Sequence, residues 1–169
     1  MTSARFTANL DGPRLAEFAV ALAAERHRWE HLVRHDRDSR FYAEIFSDAH
    51  VSAWLICWTD DQDTGFHDHD RSSGGVAVVA GRVREERLVL GGPPVAKIFV
   101  PGECFHFDAS TIHRVRHTGA EPAVTMHAYS PPLLRMGAYS AGPTGELVRE
   151  TLAYTEELRG GGSAVALTR

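Results

Sequence analysis

The apolar positions fall into two patterns along the chain. Leu15, Phe18, Ala19 and Leu22 recur at i, i+3, i+4 and i+7 and so line one face of a helix. Pro13 stands in the first turn of that helix, with Asp11 before it as the N-cap. A second helix is predicted near residues 26–33, with Trp29, Leu32 and Val33 turned inward. Its other face carries His27 and His31, continued by His35, among Arg26, Arg28, Arg34 and Arg37. Like charge around these histidines disfavours a bound cation, so the face reads as solvated. From Phe41 onward the texture changes to short β-type runs at 53–58, 75–79, 83–90, 95–100, 112–116, 123–129 and 147–154. Clusters of Gly, Pro, Asp and Ser separate them, as at 60–65, 91–94, 101–102 and 118–122. Short strands with no long helix between them predict a mainly β fold, a small antiparallel β-barrel or jelly roll with N-terminal helices. The predicted organisation is one domain. A helical segment over 1–38 leans on a barrel over 39–158, followed by a Gly-rich, flexible tail over 159–169.

Composition narrows the class of function. With 169 residues, 43% hydrophobic and 24% charged, the chain is long enough for one packed core. A net charge of -4 argues against nucleic acid as a partner, because phosphate binding needs a basic surface. No apolar run reaches the ~18 residues of a membrane span. Residues 1–10 hold no apolar stretch leading to a cleavage site. A cytoplasmic protein acting on a small molecule, monomer or dimer, is the expectation. Cys57 and Cys104 are too few for a disulfide framework and read as reduced, buried thiols.

Histidine is the unusual residue, with ten in the chain, and two of them form the sharpest motif, Gly65-Phe66-His67-Asp68-His69. Side chains two apart on a strand share a face, so His67 and His69 aim together while Asp68 aims away. Two imidazoles on one strand are ready ligands for Fe, Mn, Ni or Zn. Thr125, His127 and Tyr129 share a face in the same way within the run at 123–129.

The surroundings of His-x-His look like the first motif of the cupin barrel, with Gly81 as its glycine and Gly74 where that motif has a glutamate. Pro101-Gly102-Glu103 and Asp108-Ala109-Ser110-Thr111-Ile112-His113 resemble the second cupin motif, which ends in the third histidine. Ser110 and His117 replace its usual glycine and asparagine. Within the cupins the chain resembles the cysteine dioxygenase (thiol dioxygenase) family. The resemblance rests on His67-Asp68-His69, Ser72, Gly81 with Glu85, Ile112-His113-Arg114-Val115 and Thr125-Met126-His127-Ala128-Tyr129-Ser130-Pro131-Pro132. Trp29 and Leu55-Ile56-Cys57-Trp58 add to it, so that it covers roughly residues 29–149.

The resemblance implies a cupin barrel that holds Fe(II) on His67, His69 and His113, with O2 and a small thiol as substrates and a sulfinate as product. His106 is a rival for the third ligand, and the family context of His113 decides for the latter. His117 reads as either a supporting or a surface residue. The resemblance also implies a catalytic relay of Thr125, His127 and Tyr129, with threonine in place of the family's serine. Gly74 falls where animal members carry a cysteine cross-linked to the tyrosine, which implies an uncross-linked Tyr129.

One departure bears on the substrate. Cysteine-selective members clamp the substrate carboxylate with an arginine in a pattern like Arg-Tyr-Tyr-x-Arg-Leu. This chain reads Arg40-Phe41-Tyr42-Ala43-Glu44-Ile45, with Glu44 in the arginine's place. Glutamate would repel a carboxylate. Three readings stay open: another arginine (Arg40, Arg71 or Arg135) supplies the clamp, the substrate carries a cation at that point, or Glu44 faces solvent. The predicted substrate contacts are Glu44, Arg40, Arg71 and Tyr42. The alternatives to a thiol dioxygenase are an oxygenase of a non-thiol amino acid or amine and a non-catalytic metal-binding cupin.

Overall fold

A computed structural model describes residues 6–154. The predicted tail over 159–169 lies outside the described residues. Helix α1 spans Gly12–Ala24, and Asp11 caps it by accepting the Arg14 N–H at 3.1 Å. Its apolar stripe, Leu15, Ala16, Ala19 and Leu22, is buried. The predicted second helix is instead two short 3-10 turns, Arg26–Arg28 and Glu30–Leu32. Trp29 breaks the run at φ -137° and sends its indole N–H back to the Leu22 carbonyl, 3.1 Å away, so it closes the end of α1. His27, His31 and His35 are exposed, as the charge argument requires.

Eleven strands follow among the described residues. They are β1 (Phe41–Ser47), β2 (Ser52–Trp58), β3 (His67–Asp68), β4 (Ser73–Ala80), β5 (Val83–Arg87) and β6 (Val95–Phe99). After these come β7 (Cys104–Phe107), β8 (His113–His117), β9 (Ala123–Ser130), β10 (Arg135–Ala141) and β11 (Leu147–Ala153). They form two antiparallel sheets, ordered β1-β2-β9-β4-β7 and β11-β10-β3-β8-β5-β6. The mainly β architecture with a helical N-terminal segment is the one expected.

The first sheet has two apolar faces, which explains its unbroken hydrophobic runs. Along β2, Trp54, Ile56 and Trp58 face the second sheet, while Ala53, Leu55 and Cys57 join the outer apolar cluster that also holds Trp29, Phe46 and the buried face of α1. Along β9, Met126 and Ala128 face α1, which leaves Thr125, His127 and Tyr129 inside the barrel. Gly75 lets α1 lie against β4, since a Cβ there would overlap the backbone of Leu15 and Ala16. Cys104 is exposed rather than buried, because β7 turns Phe105 and Phe107 inward and Cys104 and His106 outward.

Candidate metal centre

Alternation along a very short strand builds the centre. His67 lies in β3 and pairs across the ladder with His113, the first residue of β8. His69 follows two residues later on the same side. One ligand atom from each of His67, His69 and His113 falls within 4.8 Å of the others. The three side chains are 3%, 1% and 1% exposed. His106 belongs to the outer face of β7 and takes no part. His117, four residues beyond His113, is buried and pinned by its Nε2 to the Glu121 carbonyl at 2.8 Å, away from the cluster.

The hydrogen bonds around the imidazoles leave them ready for a cation. His67 Nδ1–H donates to the Gly65 carbonyl at 3.0 Å, which leaves Nε2 with its lone pair. His113 Nδ1–H donates to Glu85 Oε1 at 2.8 Å. That carboxylate, itself buried, also accepts from Arg87 Nε at 3.0 Å. A carboxylate behind a histidine fixes its orientation and makes it a better donor. His113 Nε2 and His69 Nδ1 are buried and have no hydrogen-bond partner among the described residues. Buried nitrogens left in this way are costly unless something binds them. Burial drives His67 down to about 4 and holds His69 and His113 well below the usual imidazole range, so all three are neutral at physiological pH. Neutral imidazoles are the form that binds a metal, so the residues fit one.

No carboxylate joins the set: among the described residues the cluster is three histidines alone. Gly74, where the cupin motif has glutamate, lies opposite Tyr129 in the β4–β9 ladder. A Cβ at Gly74 would overlap the Phe107 ring. That ring stacks on His69 at 4.4 Å and packs on His113 at 4.4 Å, so it fills the space a fourth side chain would need. Phe107 is buried, and the sequence carries no signal of this role.

A chain of hydrogen bonds runs along the inner face of β9. Trp58 Nε1–H donates to Thr125 Oγ1 at 2.8 Å, Thr125 Oγ1 lies 2.8 Å from His127 Nε2, and His127 Nδ1 lies 3.1 Å from the Tyr129 hydroxyl. Its direction follows from the donors present. The indole can only donate, so it takes one lone pair of Thr125, and the threonine hydrogen needs an acceptor. Thr125 is fully buried, and His127 Nε2 is the acceptor at hand. His127 therefore carries its hydrogen on Nδ1 and donates to the tyrosine oxygen, which directs the Tyr129 O–H away from His127. Burial lowers His127 to about 3, so it stays neutral.

Arg40 and Tyr129 line a small cavity with the three histidines, and Ile56, Phe107, Val115 and Met136 give it apolar walls. Arg40 is 4% exposed, lies 5.3 Å over the Trp58 ring and donates to the Asp63 carbonyl. The other predicted substrate residues are placed elsewhere. Glu44 is exposed on the edge strand β1. Tyr42 is half-buried 5.9 Å from the Trp54 ring and does not line the cavity. Arg71 is exposed and lines an outer groove with Arg135, whose guanidinium pairs with Asp70 at 3.5 Å.

Residues 7–142 match the sequence profile of the family described as cysteine dioxygenase type I. Over 88 residues the chain is 28% identical to cysteine dioxygenase type 1 of Danio rerio, a stretch covering 46% of this chain and 44% of that protein. Among solved structures, TT1209 from Thermus thermophilus superposes with a TM-score of 0.54 at 19% identity, over 61% of this chain and 93% of its own. A conserved protein with a double-stranded β-helix domain from Klebsiella pneumoniae subsp. pneumoniae gives 0.53 at 14% identity, over 60% and 80%. BH2720 from Bacillus halodurans gives 0.52 at 18%, over 75% and 83%. At such identities these structures speak for the fold alone, the double-stranded β-helix of the cupins. With a profile that spans most of its length, the chain belongs to the cysteine dioxygenase type I family.

Proposed function

We propose that the protein is an Fe(II)- and O2-dependent thiol dioxygenase acting on a small thiol, cysteine or a cysteine-like aminothiol. The observation that carries this reading is the buried, uncharged three-histidine cluster beside Tyr129 and Arg40. Three neutral ligands leave a bound divalent ion its full charge, which favours an anionic substrate atom such as a thiolate. With iron bound there, the chemistry supplied is oxidation of RSH by O2 to RSO2H, both oxygen atoms passing to sulfur.

The chain's own groups would bind, orient and exclude water. Arg40 offers a planar, permanently charged fork suited to a carboxylate. It is the arginine among the three candidates that lines the cavity. Glu44 lies outside that lining, which removes the support for an amine substrate drawn from its position in the sequence. Tyr129, oriented by His127, Thr125 and Trp58, would hold its hydroxyl hydrogen toward the substrate or the oxygen. The apolar walls keep bulk water from the reacting atoms. We also place the protein in the cytoplasm, where Cys57 and Cys104 stay reduced. Among the described residues no helix is long and apolar enough to cross a membrane.

The test is anaerobic loading with Fe(II), then O2 uptake and mass spectrometry on cysteine, cysteamine, 3-mercaptopropionate and a pool of amino acids and amines. The expected result is a gain of two oxygens on a carboxylate-bearing thiol, abolished by His113→Ala. Arg40→Gln should raise KM for that thiol by about tenfold or more, with little effect on cysteamine. Turnover of an amine with none of any thiol would overturn the reading. Metal binding without O2 uptake on the whole panel would leave a non-catalytic cupin.

A further inference from the structure

The strand that presents two of the three histidines is barely a strand. β3 has two residues, paired as His67↔Ala138 and Asp68↔Gly137 with β10 and as His67↔His113 with β8. So short a ladder fixes neither the twist nor the advance of the chain from His67 to His69. The residue between the ligands is tied far more firmly. Asp68 points away from the cavity and accepts from Arg149 Nε at 2.7 Å and Nη2 at 2.9 Å, a two-pronged grip. It also accepts from the Tyr139 hydroxyl at 2.7 Å, the Gly137 N–H at 3.2 Å and the Asp70 N–H at 2.8 Å. Tyr139 N–H adds a bond of 2.8 Å to the Phe66 carbonyl, on the other side of His67. Except for Asp70, all these donors belong to the β10–β11 hairpin.

The hairpin is shaped for the grip. Arg149 sits on β11, so its side chain crosses β10 to reach Asp68 on β3. It crosses at Gly137, where any Cβ would overlap Arg149 Nε. Gly137 is thus bare where the guanidinium passes. Two features of separate strands serve one contact, and that contact lies one residue from each of two candidate ligands.

We propose that the β10–β11 hairpin is a positioning brace for the metal centre: Arg149, passing over Gly137, and Tyr139 grip Asp68 and thereby set His67 and His69 at coordinating distance before any ion arrives. Asp68, Arg149, Tyr139 and Gly137 are positioning residues and touch neither substrate nor metal. The inference rests on the three histidines holding a metal.

The test uses Co(II), whose d–d absorption reports coordination geometry, titrated anaerobically into the full chain. Arg149→Gln and Gly137→Ala should each weaken Co(II) binding by about 10- to 100-fold and change the absorption band. Arg149→Lys keeps the charge, loses the fork, and should fall between these variants and the parent. Glu150→Ala, on the same strand but outside the grip, should bind like the parent. Melting of the metal-free proteins and far-UV circular dichroism are read in the same samples. Parental affinity and spectrum in Arg149→Gln and Gly137→Ala would overturn the proposal, as would weakening that merely follows the unfolded fraction. Should those variants not fold, Tyr139→Phe removes a single hydroxyl and must still shift the band for the proposal to stand. Failure of the parent chain to bind Co(II) would instead sink the metal reading itself.

Discussion

At the scale of the residue, burial of His127 ties stability to acidity. Its proton affinity is lowered to about 3 in the folded protein, against about 6.5 in the open chain. Between those values the unfolded state binds one more proton than the folded state. Stability is therefore complete above pH 6.5 and is lost as the pH falls toward 3, by about 1.4 kcal/mol per pH unit for this one residue. Denaturant unfolding of parent and His127→Gln at pH 6 and 5 should show a slope smaller in the variant by about that amount. Equal slopes would mean that His127 is already charged inside the barrel. Of the residues around it, His67 with His69, and Thr125 with Tyr129, are legible in the sequence because strand alternation projects each set to one side; His113, on another strand, is singled out over His106 only by the family resemblance. Glu44 is not legible, since its place on an edge strand depends on a pairing that only the folded sheet supplies. Arg40 lies just before β1 and owes its position in the cavity to the packing of its guanidinium on Trp58 and to the Asp63 carbonyl, contacts that cross 18 and 23 residues of chain.

At the scale of the element, burial of both faces makes the central strands the plainest, while β6 and β11 are read from their β-type runs although most of their residues are exposed. The runs of β2, β4 and β9 are clear because both of their faces are covered, one by the outer apolar cluster that includes α1 and Trp29 and one by the second sheet. β10 reads Arg-Met-Gly-Ala-Tyr-Ser-Ala, with too few large apolar residues to stand out, and β3 is too short for any period to register. β7 is also absent from the predicted runs, since only Phe105 and Phe107 of its residues turn inward. The failure at 26–33 has a local cause: an indole N–H that finds the end of the preceding helix outweighs helical spacing. The packing of α1 on β4 makes a direct prediction. Gly75→Ala puts a methyl group into the backbone of Leu15 and Ala16, so the helix must lift from the sheet. The expected loss is about 1–3 kcal/mol, read as a lower denaturant midpoint, with far-UV circular dichroism nearly unchanged. A midpoint equal to the parent's would mean that α1 is not seated as described.

At the scale of the whole molecule, the two sheets close around a polar strip in an otherwise apolar interior. Buried imidazole nitrogens converging on one point are a standing cost to the metal-free barrel, and an ion that binds the folded state alone offsets it. Thermal unfolding should therefore shift upward with added Co(II) or Fe(II), by about 2.7 kcal/mol of stability at a hundredfold excess over Kd. His113→Ala should remove the shift. A melting temperature that ignores both ions would argue that the cluster holds none.

The contact between Gly74 and Phe107 couples two positions of the barrel. A cupin with a carboxylate ligand needs a side chain at position 74, and this barrel has placed an aromatic ring in that volume, wedged between two of its histidines. No single substitution leads back: a longer residue at 74 collides with Phe107, and a smaller residue at 107 leaves a void against His69 and His113. A side chain at position 74 and a full ring at position 107 exclude each other in this barrel, so relatives that carry a carboxylate at 74 should carry a smaller residue at 107 as well.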